Sequence, residues 1–126
     1  MGAHKILVVD DEMQMRRVLR ATLSVHGYEV VEAASGEEAL RTLAAEPCDV
    51  VLLDLNLPGL DGFDTCRAIR VVSQVPIIVV SIRDSENDKN AAREAGADDY
   101  IVKPFGIQEL LLRIGEVSRS KTAFGS

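Results

Sequence analysis

Tryptophan is absent from this 126-residue chain, and tyrosine and phenylalanine together supply only 4% of it, too few rings to stack a flavin-like cofactor. Cysteine occurs twice, at Cys48 and Cys66, eighteen residues apart and without C-x-x-C spacing. That usage fits reduced, buried thiols in a cytoplasmic protein better than a disulfide or a metal centre. Uninterrupted apolar runs such as 50–53 and 77–80 are far too short to cross a bilayer. The opening MGAHKILVVDDE lacks the charged region, apolar stretch and small-residue cleavage site of a signal peptide. Basic residues are outnumbered, 14 against 20 acidic, for a net charge of −6, which argues against this chain gripping nucleic acid by itself. Neither G-x-G-x-x-G nor G-x-x-x-x-G-K-[ST] occurs, and Gly59 and Gly62 do not make a phosphate loop, so nucleotide is not the expected ligand.

What is present is an alternation of apolar runs and helical periodicities. A composition of 47% apolar and 27% charged residues suits one globular domain, and a chain of this length can bury roughly two-thirds of its unfolded surface. Residues 5–9 read as a strand. Met15, Val18, Leu19, Thr22 and Leu23 then recur at helical spacing, with Gly27 placed to close the helix. A second strand holds Val30 and Val31; Ser35 followed by Glu38 forms a capping box that opens a second helix. Strands over 50–53, 76–80 and 100–102 alternate with helices over 61–70 and 85–94, the latter closed by Gly96. Ile107, Leu110, Leu111, Ile114 and Val117 give a fifth helix its buried stripe, and periodicity is lost beyond it. The first, third and fourth strands are continuously apolar and β-branched, the mark of parallel strands covered on both faces. The fold class is therefore α/β, a single doubly wound (βα)5 domain.

The chemistry gathers at the strand ends. The first strand runs into Asp10 and Asp11, the third into Asp54, the fourth into Ser81 and the fifth into Lys103. Ligands in open α/β sheets sit at that edge, so three carboxylates, a hydroxyl and an ammonium should converge. Clustered aspartates repel unless a cation compensates, and without His or Cys the oxygen set favours Mg²⁺, with Mn²⁺ as the alternative. Lys103 is a point charge suited to a phosphoryl group. Carboxylate, hard cation and lysine are the parts needed for phosphoryl transfer onto an aspartate.

VVDDE (8–12), LLDLNLPGLDG (52–62), VPIIVVS (75–81), GADDY (96–100) and KPF (103–105) together resemble the receiver domain of two-component response regulators. The resemblance implies a flavodoxin-like five-stranded parallel sheet of order 2-1-3-4-5, with residues 1–118 as the receiver and 119–126 as a C-terminal tail or linker remnant. It implies that Asp54 accepts a phosphoryl group from a sensor histidine kinase. Asp10, Asp11, Asp54 and the backbone carbonyl of Asn56 would hold the metal, and Ser81 and Lys103 would contact the phosphoryl oxygens. The Lys103–Pro104 bond is expected to be cis. Tyr100 matches the aromatic that turns inward with Ser81 on activation, and Asn56 and Arg83 match positions that tune dephosphorylation rate. Such a domain assists its own phosphorylation and hydrolysis but turns over no external substrate, so it is not expected to be an enzyme.

GADDY, KPF, Glu109 and Arg113 resemble the OmpR/PhoB branch, and SIRDSENDK and KPFGIQEL lean toward its KdpE-like, potassium-response type. That branch reaches DNA through a C-terminal winged-helix domain absent from this chain, and it dimerises on phosphorylation. The charged pairs expected across such a dimer are Lys89 with Glu109 and Asp99 with Arg113. Ser120 stands where a base should face Asp98, with Arg119 next to it. Leu112 matches the apolar patch, but Asn90 and Arg93 replace its usual aliphatic residues, so the dimer is expected to be weak.

Two other readings fit parts of the pattern. A Mg²⁺-dependent phosphatase with an aspartyl-phosphate intermediate would want Asp rather than Asn at position 56. A flavodoxin-like cofactor binder would want a phosphate cradle where this chain has Asp-Asp-Glu. His4 and His26 read as exposed or helix-end residues, Asp61 and Gly62 as serving the turn into the third helix, and Met13 and Met15 as packing residues with Met13 near the site's rim.

Overall fold

A computed structural model describes residues 4–125, with side chains as far as Arg119. Its elements are β1 (Lys5–Val9), α1 (Met13–Val25), β2 (Glu29–Ala33), α2 (Gly36–Ala45), β3 (Val50–Leu53), α3 (Gly62–Val72), β4 (Ile77–Ser81), α4 (Glu86–Ala95), β5 (Asp99–Val102) and α5 (Ile107–Gly125). The five strands pair in parallel in the order β2-β1-β3-β4-β5. No helix among the described residues is long and apolar enough to cross a membrane.

The continuous apolar runs are explained by what each strand faces. Side chains alternate across a pleated strand. Ile6, Val8, Val50, Leu52 and Ile78 point to one layer, packing with Leu19 and Leu23 of α1 and Leu110 and Ile114 of α5. Leu7, Val9, Val51, Leu53 and Ile77 point to the other, against Ala39 of α2, Cys66 and Ile69 of α3 and Ala95 of α4. Each fully buried Leu or Ile contributes about 1.5–3 kcal/mol relative to exposure, so the doubly covered sheet holds most of the stability. Cys66 is buried and Cys48 partly so; both thiols are free, and burial pushes each up to about 11, which keeps them protonated and unreactive.

The starts of α2, α3 and α4 follow side-chain capping. The oxygens of Ser35, Asp61 and Ser85 accept the backbone N–H groups of Glu38, Asp64 and Asp88. The box at Ser35 differs in one respect: Glu38 accepts from the N–H of Ala34, one residue before the cap. Gly96 ends α4 in the left-handed region at φ 114°, pressed against the Arg70 side chain. Arg70 in turn spans the Gly96 and Val75 carbonyls and the Asp98 carboxylate. Pro76 precedes β4 rather than opening it, offering its carbonyl to Val51 at 2.9 Å. The α5 backbone stays helical to Gly125, past the loss of apolar periodicity after Val117; the Ser120 side chain lies outside the described residues.

Candidate functional site

Parallel strands deliver all their carboxyl ends to one edge, and here the ladder runs one residue beyond β1, β3 and β5. The N–H of Asp10 donates to Ala33 O at 3.1 Å, that of Asp54 to Val9 O at 3.0 Å, and that of Lys103 to Ser81 O at 2.8 Å. The backbone of each residue is thus fixed by its neighbouring strand before any side-chain contact is made.

Ligand oxygens of Asp10, Asp11 and Asp54 all lie within 4.8 Å of one another. Asp10 and Asp54 are buried, whereas Asp11 is exposed. Lys103 Nζ sits 3.3 Å from Asp10 Oδ2 and 3.7 Å from Asp54 Oδ2. The other oxygens are held locally: Glu12 N–H donates to Asp10 Oδ1 at 2.9 Å and Asn56 N–H to Asp54 Oδ1 at 3.1 Å. Burial raises the Asp54 pKa. The Asn56 N–H and Lys103 oppose that rise, and the Asp10 and Asp11 carboxylates add to it. The cluster holds three carboxylates against one ammonium, all hard oxygen donors on the acidic side. That set fits a divalent cation of the Mg²⁺ kind and offers nothing to a soft metal.

The cleft over these groups, about 440 Å³, is bounded by Glu12, Met15, Asn56 and Ile82. Met15, rather than Met13, forms its rim; Met13 is exposed and does not line it, because the helix turns it outward. A mainly apolar groove of about 490 Å³ adjoins the cleft and shares Met15, Ile82 and Lys103 with it, continuing over Val18, Pro104 and Phe105. The Lys103–Pro104 peptide bond is cis.

Ser81 is wholly buried, its Oγ accepting Arg83 N–H at 3.0 Å, so it lies beneath the cleft rather than on its wall. The Tyr100 ring packs against the cluster of Leu55, Val79 and Ala92, and its hydroxyl donates to Arg83 O at 2.8 Å. Burial raises the Tyr100 pKa, and the neighbouring Ser81 hydroxyl partly offsets this. Arg83 and Asn56, far apart in sequence, meet: Nη2 and Nε donate to Asn56 Oδ1 at 2.7 and 3.2 Å. The same guanidinium lies 5.6 Å above the Phe63 ring and 3.6 Å from Asp88.

The residues expected at a dimer interface lie together on the α4–β5–α5 face, around a groove of about 520 Å³ that includes Lys89, Arg93, Asp98, Tyr100 and Glu109. Within one chain, Arg113 pairs with Asp99 at 2.6 Å and with Glu109 at 3.5 Å. Lys89 pairs with Asp84 and Glu86, Asp98 with Arg70, and Arg93 donates to Asn90. Leu112 is exposed. Away from the site, His26 caps α1 with Nδ1 3.0 Å from Thr22 O, and His4 is exposed near Glu29. Asp61 caps α3.

Arg16 carries no sequence signal that marks it, and Gly62, read from the sequence only as part of the turn into the third helix, has a further role beside Asp54. Arg16 of α1 reaches the Asp10 carbonyl at 2.7 Å and Glu32 of β2 at 3.0 Å. Gly62 is required by space: a Cβ there would meet Leu55 Cα at 2.4 Å and Asp54 O at 2.6 Å.

A 2-1-3-4-5 parallel sheet with acids, lysine and serine at its carboxyl edge defines a CheY-like α/β signalling module. The chain belongs to the response regulator receiver domain family, which matches residues 6–115. It is 48% identical over 118 residues to the transcriptional regulatory protein KdpE of Mycobacterium tuberculosis, covering 94% of this chain and 52% of that protein. It is also 48% identical over 124 residues to the probable transcriptional regulator ycf27 of Guillardia theta, covering 97% of this chain and 49% of that protein. Both relatives are regulators of the OmpR/PhoB branch, and the chain spans about half their length. Among solved structures, the BeF3-activated N-terminal receiver domain of Klebsiella pneumoniae RstA matches with a TM-score of 0.84 and 37% identity, over 87% of this chain and 94% of that one. Response regulators of two-component systems are phosphorylated by histidine kinases.

Proposed function

We propose that Asp54 accepts a phosphoryl group from a sensor histidine kinase and that the domain is a phosphorylation switch on transcription. The observation that carries this reading is the burial of Asp54 at the sheet's carboxyl edge, between two further aspartates and 3.7 Å from Lys103. Asp10, Asp11, Asp54 and the Asn56 carbonyl would hold Mg²⁺ or Mn²⁺. When bound, such an ion neutralises charge on the transferring phosphoryl oxygens.

The chain's own residues do the rest. An Asp54 carboxylate oxygen attacks phosphorus, the bond from phosphorus to the donor's histidine nitrogen breaks, and that nitrogen keeps the electron pair. Asn56 N–H orients Asp54, and Lys103 offers its ammonium to the incoming oxygens. A donor protein reaching Asp54 must cover the adjoining apolar groove, which gives it a surface to dock on. Hydrolysis returns the carboxylate, and the Arg83–Asn56 bridge lies where it can limit the approach of water. This self-directed chemistry turns over no external substrate. A phosphatase that reuses Asp54 would need an acid at position 56, and Asn56 has none to give.

The phosphoryl group adds about −1.5 to −2 charges. Ser81 then turns toward it, Tyr100 follows into the vacated space, and the α4–β5–α5 face is rebuilt. The coupling is limited to the differential stabilisation of the active form, about 1–3 kcal/mol. That face forms a weak homodimer on phosphorylation, and DNA is reached only through a further domain. Residues 1–118 carry these functions, and 119–126 lead away from them. Incubation with acetyl phosphate and Mg²⁺ should add one phosphoryl group to the wild type, detected by intact mass, and none to Asp54→Asn. Equal labelling of the variant contradicts the proposal.

A further inference from the structure

We infer that Arg16, anchored by Glu32, is a positioning residue for the cation site: it fixes the Asp10–Asp11 peptide so that the Asp11 carboxylate faces Asp54. The inference rests on the reading of the acidic cluster as a cation site and deepens it.

The geometry is a three-element strut. Arg16 rises from the first turn of α1, and its Nη1 donates to the Asp10 carbonyl at 2.7 Å. Its Nε donates to Glu32 Oε1 at 3.0 Å, at the β2 position paired with Val8. Glu32 is gripped on its other oxygen by Arg20, and the two arginines hold its carboxyl below the usual range. Arg16 and Glu32 side chains are only 15% and 23% exposed, so the strut is ordered by packing as well as charge.

Every other polar atom of Asp10 is already fixed: N–H on Ala33 O, Oδ1 by Glu12 N–H, Oδ2 by Lys103. The carbonyl is the remaining handle, and it belongs to the peptide that aims Asp11. Asp11 itself is exposed, with no hydrogen bond or ion pair among the described residues, so no side-chain partner holds it and its placement depends on the backbone that carries it. A guanidinium fork can hold a carbonyl and a carboxylate together in one plane, which a single ammonium cannot.

Charge and positioning predict opposite signs, which makes the inference testable. Arg16 is a cation near a cation site, so removing it should tighten Mg²⁺ binding if only Coulomb forces matter. If Arg16 positions Asp11, removing it should weaken binding, and outer partners of metal ligands typically change affinity by about 10–100-fold. The experiment is an NMR titration with Mg²⁺ alone of wild type, Arg16→Met, Arg16→Lys and Arg20→Met. The spectra also report whether each variant is folded. Arg16→Met and the charge-retaining Arg16→Lys should both bind Mg²⁺ about tenfold more weakly, at the low end of that range because the site is open. Both should shift the Asp11 and Glu12 amides before any metal is added. Arg20→Met, which removes a similar charge and leaves the Asp10 carbonyl contact intact, should bind as tightly as wild type or tighter. Unchanged or tighter binding by folded Arg16→Lys overturns the inference while leaving the cation site standing. A wild type that shows no response to Mg²⁺ overturns the cation site and the inference with it.

Discussion

Replacing Lys103 with methionine keeps the apolar stem of the side chain and removes the ammonium that faces Asp10 and Asp54. The size of the effect follows from the geometry. At separations of 3.3 and 3.7 Å, each pair is worth about 4–5 kcal/mol under the effective screening found near protein surfaces. Part of that sum is offset, because the variant no longer desolvates an ammonium that is only 15% exposed. Removing one partner of a buried pair typically costs about 3–5 kcal/mol, and the cleft admits water on one side, which places Lys103→Met near 3 kcal/mol at neutral pH. With about 1–3 kcal/mol per molar, the urea midpoint should fall by roughly 1–3 M. The pH dependence has a definite sign. The Asp54 pKa is raised above 3.8 by burial even with Lys103 present, and losing the ammonium raises it further. A group with a raised folded pKa binds protons more tightly in the folded state, so stability is lost as pH rises through that value. The deficit of Lys103→Met should therefore be largest at neutral pH and shrink toward the ordinary carboxylate range, and Mg²⁺ should restore part of it. Urea unfolding followed by far-ultraviolet circular dichroism at neutral pH and near pH 4 tests this. A loss below about 1 kcal/mol, or an equal loss at both pH values, would refute the electrostatic account.

Gly62→Ala should destabilise the protein by about 1–3 kcal/mol, because its Cβ collides with the Leu55 and Asp54 backbone, and acetyl phosphate labelling should slow with it. Gly115→Ala, where a Cβ meets only the end of Arg119, should instead stabilise by up to about 1 kcal/mol, and thermal melts of the two side by side would show whether the signs differ as stated. The beryllofluoride-activated protein should form a dimer that weakens with salt, since Asn90 and Arg93 interrupt the apolar centre and Asp99 and Arg113 already satisfy each other within one chain. Sedimentation at low and high salt measures it, and a tight, salt-insensitive dimer contradicts that view.

The fold was legible where one residue type had one physical job. The runs 6–9 and 50–53 announce themselves because burial on both faces demands apolar side chains at every position. Ser35 and Gly96 mark helix ends because a cap needs a short acceptor or a left-handed φ. The acidic cluster and Lys103 were legible for a topological reason: in a parallel sheet, whatever follows each strand arrives at the same edge. What escaped were contacts between surface-coded residues distant in sequence. Nothing in the letters distinguishes Arg16, which holds the Asp10 carbonyl, from Arg17, which follows it. Nor do they show that Arg83 would lie across Asn56 rather than in solvent. Met13 and Met15 illustrate the same limit. Either could face the cleft by composition, and only the phase of α1 relative to the sheet selects Met15.

The central claim is that Asp54, among three neighbouring aspartates, is the phosphoryl acceptor. The most direct measurement is peptide mapping of the wild-type protein after incubation with acetyl phosphate and Mg²⁺. Modification confined to Asp54, in the peptide that follows β3, is the predicted result. Modification at Asp10 or Asp11 would contradict the account.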